Sequence, residues 1–254
     1  MKYEITSLEE RPDLIKDFQV FTYLNWPRFM AGYKGENNDL INRSSLPVGA
    51  LLNYFPEFQL ILFDIQSESI IATGSTIPFV WDGKDESLPD DGWDGVMASG
   101  KLSYEAKDSV NALSALAVTV DYKHRGKGLS SIILDAMKNL AKISKLESFV
   151  VPLRPTLKHL YPLTPIEKSN DVGVPFDPWL RTHCGHGAKI ISIANQSVTI
   201  KSSINDWTAW TGLKFPETGE YVFKDVLVTL NINIEDNYGI YVEPNIWLKH
   251  SLYK

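Results

Sequence analysis

The stretch YKHRGKGLSS, residues 122–131, combines two glycines with four basic or imidazole side chains. It lies between LSALAVTV (113–120), an apolar run that predicts a buried strand, and LSSIILDAMKNLAKI (129–143), whose periodicity predicts an amphipathic helix. The first N–H groups of a helix lack intrahelical partners and bind anions, and glycines let an anion approach the backbone closely. The strand, loop and helix together therefore predict a phosphate-binding site, with a solvated basic turn as the alternative.

Two common phosphate-binding motifs do not fit this loop. The Walker pattern GxxxxGK[ST] cannot be laid on it, and the dinucleotide pattern GxGxxG fails at its second spacing. The segment RGKGLS (125–130) does match R/Q-x-x-G-x-G/A, and the chain thereby resembles the GNAT superfamily of acyl-CoA-dependent N-acyltransferases. Ser130 stands where that family usually has Gly or Ala, and Tyr122 stands where it often has proline.

The resemblance is specific over residues 110–153 and elsewhere rests on the order of the elements. It implies that acetyl-CoA, or another acyl-CoA, is the co-substrate. The pyrophosphate would bind the loop amides, and the pantetheine arm would pair with the preceding strand, since such pairing uses only main-chain groups. The implied cofactor-binding residues are Val118, Thr119, Val120, Arg125, Gly126, Lys127, Gly128, Leu129 and Ser130.

A candidate catalytic residue comes from FDPWLRTHCGHGAKII (176–191), which resembles the helix–Gly–strand junction Y-x-x-x-G-F of the family. When Gly187 is aligned with the glycine of that junction, His183 takes the place of the tyrosine that protonates the leaving thiolate. Histidine can act as a general acid, so His183 is the predicted catalytic residue. A histidine at a helix end with no catalytic role is the alternative.

The general base is not determined by these patterns. The strand at 110–120 carries no Asp or Glu, which leaves Ser114, Asn111 or a water-mediated group from the N-terminal helices. His183, His186 and Cys184 lack a usual zinc spacing, so no metal is expected.

The acceptor side is predicted to lie at LRPTLKHLYPL (153–163), which leaves the sheet where the family's acyl-CoA and acceptor tunnels meet. Arg154, Lys158 and Tyr161 are the predicted substrate-binding residues, and the resemblance implies that the acceptor is an amine of a small molecule or a peptide. The seven tryptophans are predicted mainly as core residues, with the lining of an acceptor pocket as the alternative.

The composition limits the partners and the compartment. A net charge of −6 argues against general affinity for nucleic acid or for an anionic membrane. The single cysteine, Cys184, excludes an intramolecular disulfide and indicates a reducing compartment, which we take to be the cytoplasm. No run approaches the roughly 20 apolar residues of a membrane span, and the N-terminus lacks the apolar core of a signal peptide. A homodimer is left open.

The order of predicted elements is helices, a β-hairpin, then strands alternating with helices, which indicates an α/β fold with a mixed sheet and a GNAT-like architecture. Residues 1–195 would form the acyltransferase core, and residues 196–254 a C-terminal extension packed on the same domain. In the extension, Ser203 and Asp206 predict a capping box, Gly212 a helix end, and 226–234 a strand that pairs with 240–244.

The predicted function is acyl transfer from acyl-CoA to an amine by direct attack in a ternary complex. The alternative is a CoA-binding sensor or interaction module that keeps the fold without catalysis, which the absence of acidic groups on the cofactor strand favours. A nucleic-acid binder that uses the basic loop is disfavoured by the acidic overall charge.

Overall fold

A computed structural model describes residues 2–31, 48–160, 162–163, 166 and 175–252 of the chain. Within these ranges the helices are α1 (Ile15–Asn25), α2 (Arg28–Ala31), α3 (Val48–Tyr54), α4 (Gly92–Ala106), α5 (Leu129–Ile143), α6 (Pro178–Gly185) and α7 (Ile204–Thr211). The strands are β1 (Tyr3–Ser7), β2 (Gln59–Asp64), β3 (Ser69–Phe79), β4 (Ala112–Val120), β5 (Ser148–Leu153), β6 (Ala188–Ser203), β7 (Gly219–Tyr221), β8 (Leu230–Asn233) and β9 (Tyr238–His250).

The strands form one mixed sheet in the order β1-β2-β3-β4-β5-β9-β8-β7, with β6 paired to β9. Every pairing is antiparallel except that of β4 with β5, which are joined by the crossover helix α5 as a parallel pair requires. The predicted mixed α/β class is therefore confirmed. The strand β6 continues through residue 196, where the predicted core and extension meet.

Local sequence signals account for most of the element boundaries. Pro12 begins a 3-10 turn that leads into α1, and α7 begins at a capping box in which Ser203 Oγ accepts from the Asp206 N–H and the Asp206 side chain accepts from the Ser203 N–H. Gly212 ends α7 in the left-handed conformation at φ 72°. The predictions of the capping box at Ser203 and of a helix end at Gly212 are confirmed.

Two parts of the sheet differ from the expectation. The predicted strand at 226–234 forms ladder pairs only over β8, because the chain before it packs inward instead: Val226 and Leu227 are fully buried, and the Leu227 N–H donates to Tyr241 Oη. The edge strand β1 was not predicted, because its residues are mostly exposed and show no strong alternation.

The main core lies between the sheet and the helices α4 and α5. In α5 the buried side chains recur at three- and four-residue spacing and pack on β3 and β4. Gly74 of β3 allows this close approach, because a Cβ there would lie 2.6 Å from Ile133 Cγ2 and 2.7 Å from Met137 Cε. A second core is formed around Trp207, Phe29 and Tyr241 by the C-terminal elements and α2.

No helix in the described ranges is both long enough and apolar enough to cross a bilayer.

Candidate active site

The strands β4 and β5 separate along their length and leave a groove between them. They pair only over Ala112–Ser114 and Ser148–Val150. Beyond Ser114, β4 pairs with β3 on one side, whereas no described strand pairs with the edge that faces β5. The resulting groove has a volume of about 930 Å³ and runs along β4 to the N-terminus of α5. It therefore exposes a strand edge that an extended ligand can pair with.

A register shift lies in the part of β4 that lines the groove. Ser75 pairs with Ala117 and Thr76 with Ala115, so Leu116 is skipped in the ladder with β3. Trp93 Nε1 donates to the Leu116 carbonyl over 3.1 Å. The bulge at Leu116 turns main-chain groups away from the sheet at this point.

The glycine-rich loop closes one end of the groove. Gly126 and Gly128 both have φ near 75°, and Gly128 is the N-cap of α5 without a side-chain cap. Among the described residues, no hydrogen-bond acceptor engages the backbone N–H groups of residues 126–130. The loop thus presents free amides and the positive end of a helix dipole, which is the arrangement that binds phosphate.

Almost all the residues predicted to bind the cofactor lie in this groove. Those that line it are Val118, Thr119, Val120, Arg125, Gly126, Gly128, Leu129 and Ser130. Lys127 is exposed and is absent from the groove wall that the structure describes. His124 also lines the groove, and its Nδ1 lies 2.7 Å from Asp121 Oδ2, which holds the imidazole against the loop.

A smaller cavity of about 60 Å³ adjoins the groove at the bulge. The two share Trp26, Leu116, Ala117, Thr119, Pro152 and Arg154. Trp26 is fixed here because its Nε1 donates to Thr119 Oγ1 over 2.8 Å, which ties the end of α1 to β4. Trp93 and Met30 form further parts of the wall.

The polar end of this cavity is a buried ion pair. Arg154 Nε donates to Glu243 Oε1 over 2.9 Å and to Oε2 over 3.1 Å. Glu243, which is 0% exposed, also accepts from Tyr241 Oη over 2.6 Å and from Asn245 Nδ2 over 3.2 Å. Burial and the Glu243 charge raise the pKa of Tyr241, so the phenol stays protonated and donates. The carboxylate is fully engaged by three donors.

Arg154, predicted to bind the acceptor, lies where the groove and the cavity meet. Its Nη2 donates to the Asp225 carbonyl over 2.7 Å, so the guanidinium is held from two sides. Burial is the largest single effect and lowers the pKa of Arg154, but the charges and hydrogen bonds of Glu243 and Tyr241 together outweigh it, so the net pKa is raised. The side chain stays charged and is fixed at the junction.

The other two predicted acceptor residues are placed differently. Lys158 is 2% exposed, and its Nζ donates to the carbonyls of Pro162 and Leu227, which ties two loops together. Burial lowers the pKa of Lys158. Tyr161 lies outside the described residues.

The predicted catalytic residue His183 lines the groove from α6. It is 1% exposed, its Nδ1 lies 2.9 Å from Nε2 of His250, and the Trp179 ring packs edge-on against it. Burial, together with the neighbouring His250, His186 and Lys138, lowers the pKa of His183 to about 3. The imidazole is therefore neutral near pH 7 and cannot act there as an imidazolium acid.

The two side chains considered for the general base have structural roles. Asn111 exchanges hydrogen bonds with the backbone of Trp81, accepting from its N–H and donating to its carbonyl. Ser114 is fully buried in the paired part of β4. Neither belongs to the described walls of the groove or the cavity.

Two residues of the site were missed from the sequence, Glu243 and His250, whereas Trp26 in the cavity wall is one of the tryptophans for which the lining of an acceptor pocket was the alternative. A signal for Glu243 exists, because β9 alternates and places Tyr241, Glu243 and Asn245 on one buried face. A carboxylate on the buried face of a strand indicates a specific partner. His250 carries no comparable local signal.

Comparison with known proteins places this geometry in a family. No protein-family model matches the chain. The chain is 30% identical to the arginine N-acetyltransferase avaD of Aspergillus versicolor in an alignment of 282 positions, gaps included. The alignment covers 99% of this chain and 94% of the relative.

Two solved structures share the fold. The loading GNATL domain of CurA from Lyngbya majuscula is 17% identical with a TM-score of 0.59, covering 99% of this chain and 98% of that one. The GphF GNAT-like decarboxylase in complex with isobutyryl-CoA is 14% identical with a TM-score of 0.58, covering the whole of both chains.

The full-length relative and the shared fold agree with the glycine loop at the end of an open strand edge. The chain belongs to the GNAT superfamily of N-acyltransferases, and it transfers an acyl group from acyl-CoA to an amine.

Proposed function

We propose that this enzyme transfers an acetyl group from acetyl-CoA to a nitrogen atom of arginine or of an arginine-containing small molecule. The acceptor follows the name of the relative in Aspergillus versicolor, whose whole length the chain nearly matches. The observation that carries the proposal is the continuity of the groove, which binds the acyl donor, with a cavity that contains a carboxylate and two indoles.

In this proposal the acyl-CoA lies along β4. Its pyrophosphate is bound by the free amides of residues 126–130, with Arg125 adding charge at the loop. Its pantetheine arm pairs with the open edge at Val118–Val120 in the manner of an added strand. The thioester then reaches the bulge at Leu116, beside the mouth of the smaller cavity.

The cavity suits a cationic acceptor. The side chains of Trp26 and Trp93 form part of its wall, and indole rings attract guanidinium groups through their π faces. Arg154 balances the charge of the buried Glu243, so the ion pair at the polar end carries no net charge. A space of about 60 Å³ takes the end of a side chain, and the rest of the acceptor occupies the groove.

His183 acts in this proposal as a neutral hydrogen-bond donor to the leaving sulfur. Its pKa of about 3 leaves no proton to give as an imidazolium near pH 7. In the balanced reaction the acceptor nitrogen loses its proton as the C–N bond forms and the C–S bond breaks, and CoA departs with that proton as the free thiol. A fixed donor on the groove wall stabilises the charge that develops on sulfur.

The test is a panel of acceptors with purified protein and acetyl-CoA, followed through release of free thiol and the mass of the product. L-arginine and agmatine represent guanidines, and L-lysine and L-leucine serve as controls without one. We expect turnover with the guanidino compounds at a kcat/KM at least tenfold above that of the controls, a difference of about 1.4 kcal/mol.

Equal turnover of all four compounds would overturn the assignment of the acceptor. A rise in melting temperature with acetyl-CoA but no turnover on any amine would overturn catalysis itself and leave a binding protein. The reaction is assigned to a reducing compartment, the cytoplasm, on the basis of the single cysteine, Cys184.

A further inference from the structure

The chain segment between β7 and β8 brings an acidic residue to the groove. Asp225 lies in this segment and lines the groove beside Arg154. Among the residues that form the described groove wall, Asp225 is the only acid. Glu243, in the wall of the smaller cavity, is 0% exposed and already engaged by three donors. Of these two carboxylates, an acceptor in the groove can therefore reach that of Asp225.

Buried side chains hold this segment in place. Arg154 Nη2 donates to the Asp225 carbonyl over 2.7 Å. Two positions further on, the Leu227 carbonyl accepts from Lys158 Nζ over 2.6 Å, and the Leu227 N–H donates to Tyr241 Oη over 2.9 Å. The two residues that follow Asp225 are fully buried. Asp225 is thus fixed at the groove wall rather than carried on a free loop.

The backbone of Asp225 is left-handed, with φ 70°. Few residues other than glycine adopt this conformation, and Asp and Asn accept it more readily than most. A strained backbone of this kind persists where its surroundings determine it, and such residues cluster at ligand sites. Here the hydrogen bonds of the segment on both sides of Val226 supply that constraint.

The Asp225 carboxylate has no partner among the described residues, since the contact printed by its hydrogen bonds is that of its carbonyl. Lys224, the residue before it, also lines the groove but is exposed, and no described ion pair joins the two side chains. Asp225 itself is half-buried. A charge attracts an opposite charge more strongly where water is partly excluded, so this carboxylate favours a cation in the groove.

We propose that Asp225 binds the ammonium group of the acceptor through a charge-assisted hydrogen bond. This inference rests on the proposed function, in which the guanidinium of the acceptor enters the smaller cavity and the rest of the molecule, with its ammonium group, stays in the groove. Arg154 and Lys158, both predicted from the sequence to bind the acceptor, then act as positioning residues that hold the segment of Asp225.

The test compares the wild type with Asp225→Asn, which keeps the shape of the side chain and tolerates the left-handed backbone. Calorimetry measures ligand binding to protein saturated with CoA, which has no acyl group to transfer. The ligands are L-arginine and 5-guanidinopentanoate, which differ only in the ammonium group. We expect the wild type to bind L-arginine about tenfold more tightly, and Asp225→Asn to lose that factor for L-arginine alone, the equivalent of one charge-assisted hydrogen bond.

The kinetic counterpart is a fall of about tenfold in kcat/KM for L-arginine in Asp225→Asn, with KM for acetyl-CoA unchanged. Glu220→Gln is the matched control, because it removes one negative charge at an exposed position of β7 outside the described groove wall. This variant should bind L-arginine as the wild type does. Equal melting temperatures of the two variants and the wild type verify that the fold is kept.

Unchanged affinity of Asp225→Asn for L-arginine would overturn the proposal. So would equal losses for both ligands, because Asp225 would then contact the guanidinium or only shape the groove. If the wild type binds neither ligand, the proposed acceptor is wrong and this inference is overturned with it. The first two results leave the proposed function standing, so the two failures are distinguishable.

Discussion

Nε of Arg154 lies 2.9 Å from Oε1 of Glu243, and this contact joins the end of β5 to the buried face of β9 at the meeting point of two cavities. The pair is shielded from water on the Glu243 side, which is 0% exposed, and partly open on the Arg154 side, which is 20% exposed. The accessible part of the site is thus a guanidinium whose counter-ion is hidden behind it.

Removing one partner of this pair should lower the stability of the fold, because it leaves the other charge buried and uncompensated. We expect Glu243→Gln and Arg154→Met each to lower the free energy of unfolding by about 3 kcal/mol. The double variant should be more stable than the sum of the two losses predicts, since the introduced amide oxygen would still accept from Tyr241 Oη and no charge would remain. Urea denaturation of the three variants measures this, and strictly additive losses would contradict it.

The glycine loop should be sensitive to a single methyl group. Gly126 has φ 76°, a conformation that costs an L-residue about 1–2 kcal/mol, and a Cβ there would meet no described atom within 4 Å. We expect Gly126→Ala to lose about 1 kcal/mol of stability by this strain, and to raise KM for acetyl-CoA about tenfold, the equivalent of one lost hydrogen bond.

Gly212 provides a matched control for this experiment. It has φ 72° and an equally open Cβ position, but it ends α7 and is not part of the described groove wall. Gly212→Ala should show a similar loss of stability with KM for acetyl-CoA unchanged. An equal rise in KM in both variants would mean that the loop does not bind the cofactor.

Stability should fall in mild acid because of the imidazole pair of His183 and His250. In the unfolded chain both histidines ionise near pH 6.5, whereas burial lowers their pKa in the folded state to about 3 and about 4. Below about pH 6.5 the unfolded state therefore binds more protons, so the free energy of unfolding decreases as the pH falls towards 4. Below that range the folded imidazoles also become protonated, and this contribution levels off.

The double variant His183→Gln/His250→Gln should show a shallower dependence of stability on pH between 6.5 and 4.5. His159→Gln, which replaces a partly exposed histidine, should keep the wild-type slope. Urea denaturation at several pH values gives both slopes. Identical slopes in the double variant and the wild type would show that the imidazole pair does not cause the loss of stability in acid.

The local elements of this fold were predictable because each carries its own signal. The stripe of apolar residues in α5, the alternation that predicts strands, the capping box at Ser203 and the end of α7 at Gly212 all depend on neighbours within a few positions. The glycine loop that we predict to bind phosphate belongs to this class, since its glycines, its strand and its helix are contiguous in the chain.

The extent of the strands was less predictable. The apolar run that begins at Val226 was predicted as part of a strand, yet Val226 and Val228 pack into the second core and the Leu227 N–H donates to Tyr241 Oη instead of joining a ladder. The apolar pattern of a buried segment is the same whether or not its backbone joins a ladder, so pattern alone could not distinguish the two.

What the sequence determined by itself was the class of fold, most of its elements and the loop that we predict to bind acyl-CoA. Only the tertiary structure decided that β4 and β5 separate, that Arg154 meets Glu243 across 89 positions, and that His183 meets His250 across 67. The physical reason is that helix periodicity, turns and caps are set by near neighbours, whereas these contacts depend on β9 lying beside β5 in the sheet. That placement results from burying the apolar surface of the whole chain, and local sequence patterns do not predict it.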